Sequence, residues 1–158
     1  MKFIAGMDEF VGDWVASQID GVESGDSFSP YTAIGLMDKG ELIAGCVYNN
    51  YRKGSYDIEL SFAAIDQRWA TRANIKSFLA YPYLQLGCRR VTAIVDERNT
   101  KAMKFLTKLG MKCEGRMKIA MDGTHDAIIY GMLFDKCKWF KKELESWEKN
   151  QAQRHPIP

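Results

Sequence analysis

From Tyr31 onward, short runs in which apolar and polar residues alternate are separated by clusters of glycine, asparagine, aspartate and serine, the pattern of strands joined by turns. Tyr31–Met37 and Leu42–Tyr48 flank Asp38-Lys39-Gly40, a good hairpin turn. After Arg52-Lys53-Gly54-Ser55 comes a third strand, Tyr56–Ile65. A helix is then expected from about Thr71 to Leu86. It stops at Gly87, a residue suited to the left-handed conformation past a helix end, and Pro82 should kink or loosen its last turn. Arg89–Asp96 reads as a strand, and Asn99 caps a helix that ends at Gly110. Met111–Met121 and His125–Phe134 form a last hairpin around Asp122-Gly123-Thr124. Ahead of all this, residues 2–6 suit a short strand. Phe10, Val11, Trp14, Val15 and Ile19 recur at helical spacing behind Asp8, which stands where an N-cap would. Gly21–Pro30 is Gly- and Ser-rich and reads as a loop, and Cys137–Lys149 reads as a charged terminal helix.

Strands alternating with helices predict one α/β sheet with helices on both faces. The 158 residues fit a single domain over 1–158, with the terminal helix at 136–151 and a tail at 152–158. A content of 46% hydrophobic residues is enough for a real core. Composition narrows the partners. A net charge of +2 is too small to argue for nucleic acid or an anionic membrane. No apolar run reaches the length of a membrane span, and the N-terminus does not read as a signal peptide. Cys46, Cys88, Cys113 and Cys137 form no C-x-x-C and fit reduced, mostly buried thiols in a cytoplasmic protein. With two histidines, no metal site is expected. By this reading the chain lacks an acidic cluster that would attract a polycation.

The chemistry concentrates between Ile58 and Gly110. Ile58, Leu60 and Phe62 share one face of a strand, and Glu59, Ser61 and Ala63 share the other. A carboxylate in a central strand is costly to bury without a task or a partner. Glu59 suits a general base that takes the proton from an attacking amine, directly or through a water. An exposed strand glutamate paired to Arg52 or Lys53 is the plainer alternative. Beyond it, a turn bearing Arg68 and Arg72 opens a helix, and a second strand leads to Asn99 and another helix. This order suits an acyl-CoA. A helix N-terminus with its free N–H groups holds phosphate, and a strand edge hydrogen-bonds a peptide-like arm.

The run from residue 31 to about 139 resembles the GNAT superfamily of N-acetyltransferases, nearest the branch that acetylates protein N-termini, including ribosomal-protein alanine termini. The matching residues are Glu59 to Ile65, Tyr81 to Gly87, Arg90 to Val95, Asn99-x-x-Ala102, Lys108 to Met111, Glu114 to Arg116, Asp122-Gly123 and Ala127 to Leu133. The resemblance implies a mixed, splayed sheet of about six to seven strands. It parts between the strand ending at Ile65 and the strand ending at Asp96, with acetyl-CoA in the opening. It also implies direct attack by a primary amine, with Glu59 at the place of a catalytic glutamate. The thioester carbonyl would lie against the N–H groups of Ala63, Ala64 and Ile65. Pyrophosphate would lie at Arg68-x-x-Thr71-x-Ala73 with Arg72, and pantetheine at Asn99.

This chain departs from that pattern twice. The phosphate turn holds no glycine, so Arg68, Thr71, Arg72 and the helix start must compensate. The usual tyrosine acid, seven residues after the asparagine, is Leu106 here, leaving Thr107, Tyr130 or Cys113 as substitutes, although Tyr130 reads better as a sheet residue. Asn49, Asn50, Tyr51 and Arg52 would line the acceptor groove or simply form a polar turn. Met103, Met111, Met117 and Met132 read as core. Trp139, Phe140, Leu144 and Trp147 form a stripe that packs on the sheet or on a second copy in a homodimer. The departures keep two other readings open: a non-catalytic CoA- or protein-binding module, and an enzyme modifying a nucleic-acid base amine. The acceptor is a protein N-terminus by resemblance, or a small amine.

Overall fold

The computed structural model describes residues 1–51 and 53–154. Seven strands form one sheet in the order β1-β2-β3-β4-β5-β7-β6. They are β1 Lys2–Ile4, β2 Tyr31–Asp38, β3 Glu41–Asn49, β4 Asp57–Ala64, β5 Arg90–Asp96, β6 Lys112–Met117 and β7 Ala127–Leu133. The helices are α1 Asp8–Ser17, α2 Arg72–Ala80, α3 Thr100–Leu109 and α4 Lys141–Arg154. The β2–β3 hairpin closes through Lys39 and Gly40, both at positive φ (50° and 86°), as a tight turn with right-handed strand twist requires. Every strand pair is antiparallel except β4–β5, which is parallel.

Period-two alternation gives the sheet two apolar faces. On one, α1 packs Val11, Val15 and Ala16 onto Ala33, Leu42, Val47 and Ala63. On the other, Ile58, Phe78, Leu79, Tyr83, Val91, Tyr130, Met132 and Phe140 belong to the larger core beneath α2, α3 and the C-terminal segment. Close approach of α1 depends on glycine in β3. A Cβ on Gly45 would lie 2.9 Å from Val15 Cγ2.

Several boundaries differ from expectation for identifiable reasons. Asp8 is not the N-cap of α1. Met7 holds that position without a side-chain bond, and the Asp8 carboxylate instead accepts the Ala33 N–H at 2.9 Å, tying the helix to β2. The Thr71–Leu86 helix is regular only to Ala80. Tyr81–Gln85 then forms a π turn, with Leu86 N–H donating to Tyr81 O at 3.0 Å, because Pro82 has no N–H to continue the α ladder. The last hairpin is shorter than predicted. Asp126 accepts the Ile119 N–H at 2.8 Å and folds the connection back on itself, with Ile119 at φ 51°. The terminal stripe packs largely on its own domain: Phe140 is buried and Trp139 Nε1–H donates to Leu109 O at 2.8 Å, whereas Trp147 is exposed. Among the described residues, no helix is long and apolar enough to cross a membrane.

Candidate active site

The parallel pair β4–β5 is registered at only three positions, Asp57↔Arg90, Ile58↔Val91 and Glu59↔Thr92. Beyond Glu59 the strands part. Leu60 to Ala64 stay with β3, and Ala93 to Asp96 stay with β7. A V-shaped opening results, and Glu59 stands at its apex. The Glu59 carboxylate accepts Asn50 Nδ2–H at 2.7 Å, and Asn50 reaches it from a left-handed backbone (φ 53°). Arg52, the alternative partner of Glu59 and a candidate groove residue, lies outside the described residues.

The β3–β4 register decides which backbone donors face the opening. Ile65 N–H donates to Ile43 O at 2.9 Å. Antiparallel alternation therefore turns the N–H groups of Ala63 and Ile65 toward β3 and that of Ala64 toward the opening. Of the three expected donors, Ala64 is the one whose N–H faces the opening.

The turn expected to hold phosphate is organised by one carboxylate of its own, Asp66, and one of β2, Asp38. Arg68 NH2 lies 2.6 Å from Asp66 Oδ2 and 3.1 Å from Asp38 Oδ2. Hydrogen bonds from Arg68 in turn hold the Asp66 carboxyl below the usual range. The Arg68 charge is thus already matched. Thr71 caps α2 by accepting the Asn74 N–H at 3.2 Å, which leaves Arg72 and Ala73 in the first turn. The Arg72 guanidinium lies 5.5 Å from the Trp139 ring centroid. Across the opening, Asn99 Oδ1 accepts the Ala102 N–H at 3.0 Å and caps α3. Between the two helix starts, the Phe62 ring of β4 stacks on Phe105 of α3 at 5.5 Å and touches Trp69 at 4.4 Å.

On the α1 face, one row of side chains crosses the sheet: Tyr31 pairs with Asn49, Asn49 with Glu59, and Glu59 with Thr92. Asn49 is 9% exposed. Its Nδ2–H donates to Phe28 O at 3.2 Å, and its Oδ1 is buried without a partner among the described residues. Tyr51 is exposed. Past Thr92, the hydroxyl donates to Asp57 at 2.8 Å, and Arg90 is paired with Asp57 at 3.3 Å and Glu114 at 2.6 Å.

Leu106 is buried and offers no proton. Of its candidate substitutes, Tyr130 is 7% exposed in the sheet core. Cys113 is its cross-strand partner on the edge strand, and Thr107 Oγ1–H donates to Met103 O at 2.9 Å. Tyr130 and Cys113 line a concavity of about 400 Å³ with Met103, Arg116 and Ile128, between α3 and β6–β7 and away from Glu59. Chemistry favours the V-shaped opening over this groove, because the groove contains no carboxylate aimed at a reacting amine: its Glu97 is bound to Arg116 at 3.0 Å.

The sequence reading missed three features. Asn50 as the partner of Glu59 and the buried Asn49 depend on strand register, which no local signal carries. The acidity of the α1 side was legible: seven carboxylates and no lysine or arginine lie between Lys2 and Lys39. The expectation of no acidic cluster is therefore corrected. The small net charge averages this segment with a basic remainder.

No family model and no curated protein matches the chain. Solved structures do. The ribosomal-protein-S5-alanine acetyltransferase from Vibrio fischeri aligns at 19% identity and TM-score 0.58, over 72% of this chain and 67% of that one. The dodecameric spermidine N-acetyltransferase from Vibrio cholerae aligns at 17% identity and TM-score 0.65, over 85% of this chain and 94% of that one. Both likenesses are likenesses of fold.

Proposed function

This chain has the fold of the GNAT N-acetyltransferases, and from that premise we propose that it transfers the acetyl group of acetyl-CoA to a primary amine. The observation that carries the reading is the parting of β4 from β5 immediately past Glu59↔Thr92, which leaves a carboxylate at the fork.

In this reading the pantetheine arm enters between the parted strands and the pyrophosphate lies at the start of α2 beside Arg72. The thioester oxygen faces the Ala64 N–H, which stabilises the developing oxyanion. The amine, as free base, attacks the thioester carbon. A C–N bond forms and the C–S bond breaks. The proton on nitrogen passes along bound waters toward Glu59, which stands five residues before Ala64 on β4, roughly 16 Å away, and the thiolate leaves and is protonated by solvent. A thiolate with a free pKa near ~8.5 leaves without an acid, so the apolar Leu106 is compatible with turnover. Holding both reactants in line supplies up to roughly 7–11 kcal/mol of the acceleration.

A second reading, a CoA-binding module without activity, is favoured by the neutralised Arg68 and the glycine-free turn. Thiol release from acetyl-CoA, monitored with a panel of primary amines, decides between them. Turnover with any amine supports the enzyme. A thermal shift with acetyl-CoA but no release supports the module. Neither signal sinks both.

A further inference from the structure

Helix α3 carries Lys101, Lys104 and Lys108 and no carboxylate. Its apolar residues serve two places. Phe105 meets Phe62 beside the opening, whereas Met103 faces the groove over β6–β7. Lys104 and Lys108 stand one turn apart on the rim of that groove, and neither has an ion-pair partner among the described residues. The Lys138 ammonium adds to the same field, donating to Lys108 O at 2.9 Å. Like charges four residues apart on a helix repel, so this rim lacks the anion that would offset it.

The groove floor supplies a second, independent observation. Tyr48, Tyr83 and Tyr130 are the buried tyrosines among the described residues. Tyr48 donates to Phe78 O at 2.6 Å and Tyr83 to Met132 O at 2.7 Å. Tyr130, 7% exposed, has no hydrogen-bond partner among the described residues, although a buried phenol ordinarily finds one. Asn49 Oδ1 is the side-chain polar atom sealed from solvent without a partner there, so the Tyr130 hydroxyl opens into the groove that its ring lines.

Two adjoining concavities of about 400 and 340 Å³ share Met103 and Tyr130. The first is walled by Met103, Ile128 and Gly115, with Cys113 beside them. Its charges are already matched: Glu97 is bound to Arg116 at 3.0 Å, and Arg116 to Asp126 at 2.7 Å. The second ends on Lys104, Thr107 and Lys108, where the Thr107 hydroxyl is engaged by Met103 O. The groove is therefore apolar at one end and cationic at the other, with a free phenol between. At roughly 30 Å³ per water, the larger concavity has room for about a dozen non-hydrogen atoms.

We propose that this groove binds a small planar aromatic carboxylate, its ring against Met103, Ile128 and Gly115 and its carboxylate between the Tyr130 hydroxyl and the ammonium groups of Lys104 and Lys108. A thioether edge favours an aromatic ring, and the volume is that of a small-ligand site. The site is separate from the opening between β4 and β5 and does not depend on the acetyltransferase reading.

The test compares naphthoate with its neutral analogue naphthamide on the full chain. By calorimetry naphthoate should bind several-fold to about tenfold more tightly, as two exposed ion pairs allow. That preference should vanish in the Lys104→Gln/Lys108→Gln double variant and at high salt. Tyr130→Phe should weaken both ligands several-fold yet leave Tm unchanged, whereas Tyr83→Phe should lower Tm, because the Tyr83 hydroxyl has a partner to lose. Cys113 reports the place. It alone of the four cysteines is exposed, and naphthoate should slow its alkylation with half-protection at the calorimetric Kd. Equal binding of the two ligands, or a preference that survives the lysine variant, overturns the proposal. So does a loss of Tm in Tyr130→Phe equal to that in Tyr83→Phe. An unprotected Cys113, or competition between naphthoate and acetyl-CoA, places the ligand elsewhere and overturns it too. A dimer in sedimentation that naphthoate dissociates would make the groove an interface between copies, and the small-anion site falls.

Discussion

Among the described residues, the Glu59 carboxylate accepts from a neutral donor, Asn50, whereas Asp66 and Asp126 are matched by cations. Glu59→Gln should lower turnover by ~10²–10⁴ while leaving acetyl-CoA affinity intact. An unchanged rate near neutral pH would show the carboxylate to be structural.

Asp126 has the opposite character. It accepts the Ile119 N–H at 2.8 Å, and Arg116 and Lys118 lie 2.7 and 3.4 Å away. The backbone bond first, then Arg116 and Lys118, hold its carboxyl well below the ordinary range. A folded-state value below the unfolded one means stability that is present above the unfolded pKa of ~3.9 and lost as pH falls through the folded one. Asp126→Asn should therefore be less stable than the parent at pH 7, and the gap in denaturation midpoint should narrow below about pH 4. A gap constant with pH would mean that Asp126 acts through shape and not through charge.

Among the elements, helix starts were the most legible part of the site. Thr71 and Asn99 cap α2 and α3 as their residue types suggest, since the cap bond is local and depends on sequence neighbours alone. Pro82 loosened its helix for the same local reason. Register was not legible. The Asn49–Glu59 pair, the turning of the Ala63 and Ile65 N–H groups toward β3, and the bridge from Arg68 to Asp38 all join segments that meet only in the folded sheet. Asn99 carries two expectations that one substitution separates. Serine caps nearly as well as asparagine but has a shorter reach. Asn99→Ser should change stability by less than about 0.5 kcal/mol, whereas Asn99→Ala should cost about 1 kcal/mol. If Asn99 also contacts pantetheine, the serine variant should bind acetyl-CoA several-fold more weakly in the same thermal-shift series. Unchanged affinity would reduce Asn99 to a cap.

At the level of the molecule, two asymmetries lie on opposite faces of one opening. Carboxylates gather on the α1 side. On the other side, both helix starts and the Phe62–Phe105 stack border the space that a CoA would fill. The two arginines of the phosphate turn differ in what a phosphate would displace. Arg68 would have to leave two carboxylates at 2.6 and 3.1 Å, while Arg72 would give up a ring contact with Trp139 at 5.5 Å. An exposed cation–π contact is worth about 0.5–1 kcal/mol, a small barrier to reorientation. Acetyl-CoA at a hundredfold excess over its Kd should raise Tm by roughly 5–10 °C, from ~2.7 kcal/mol of linkage in a domain of this size. At the same ligand concentration Arg72→Ala should lose most of that shift, and Arg68→Ala should retain most of it. Asp66→Asn should increase the shift by releasing Arg68 toward the phosphate. If Arg68→Ala loses the larger share, the carboxylates orient Arg68 for the pyrophosphate instead of withholding it, and Asp66→Asn should then weaken binding.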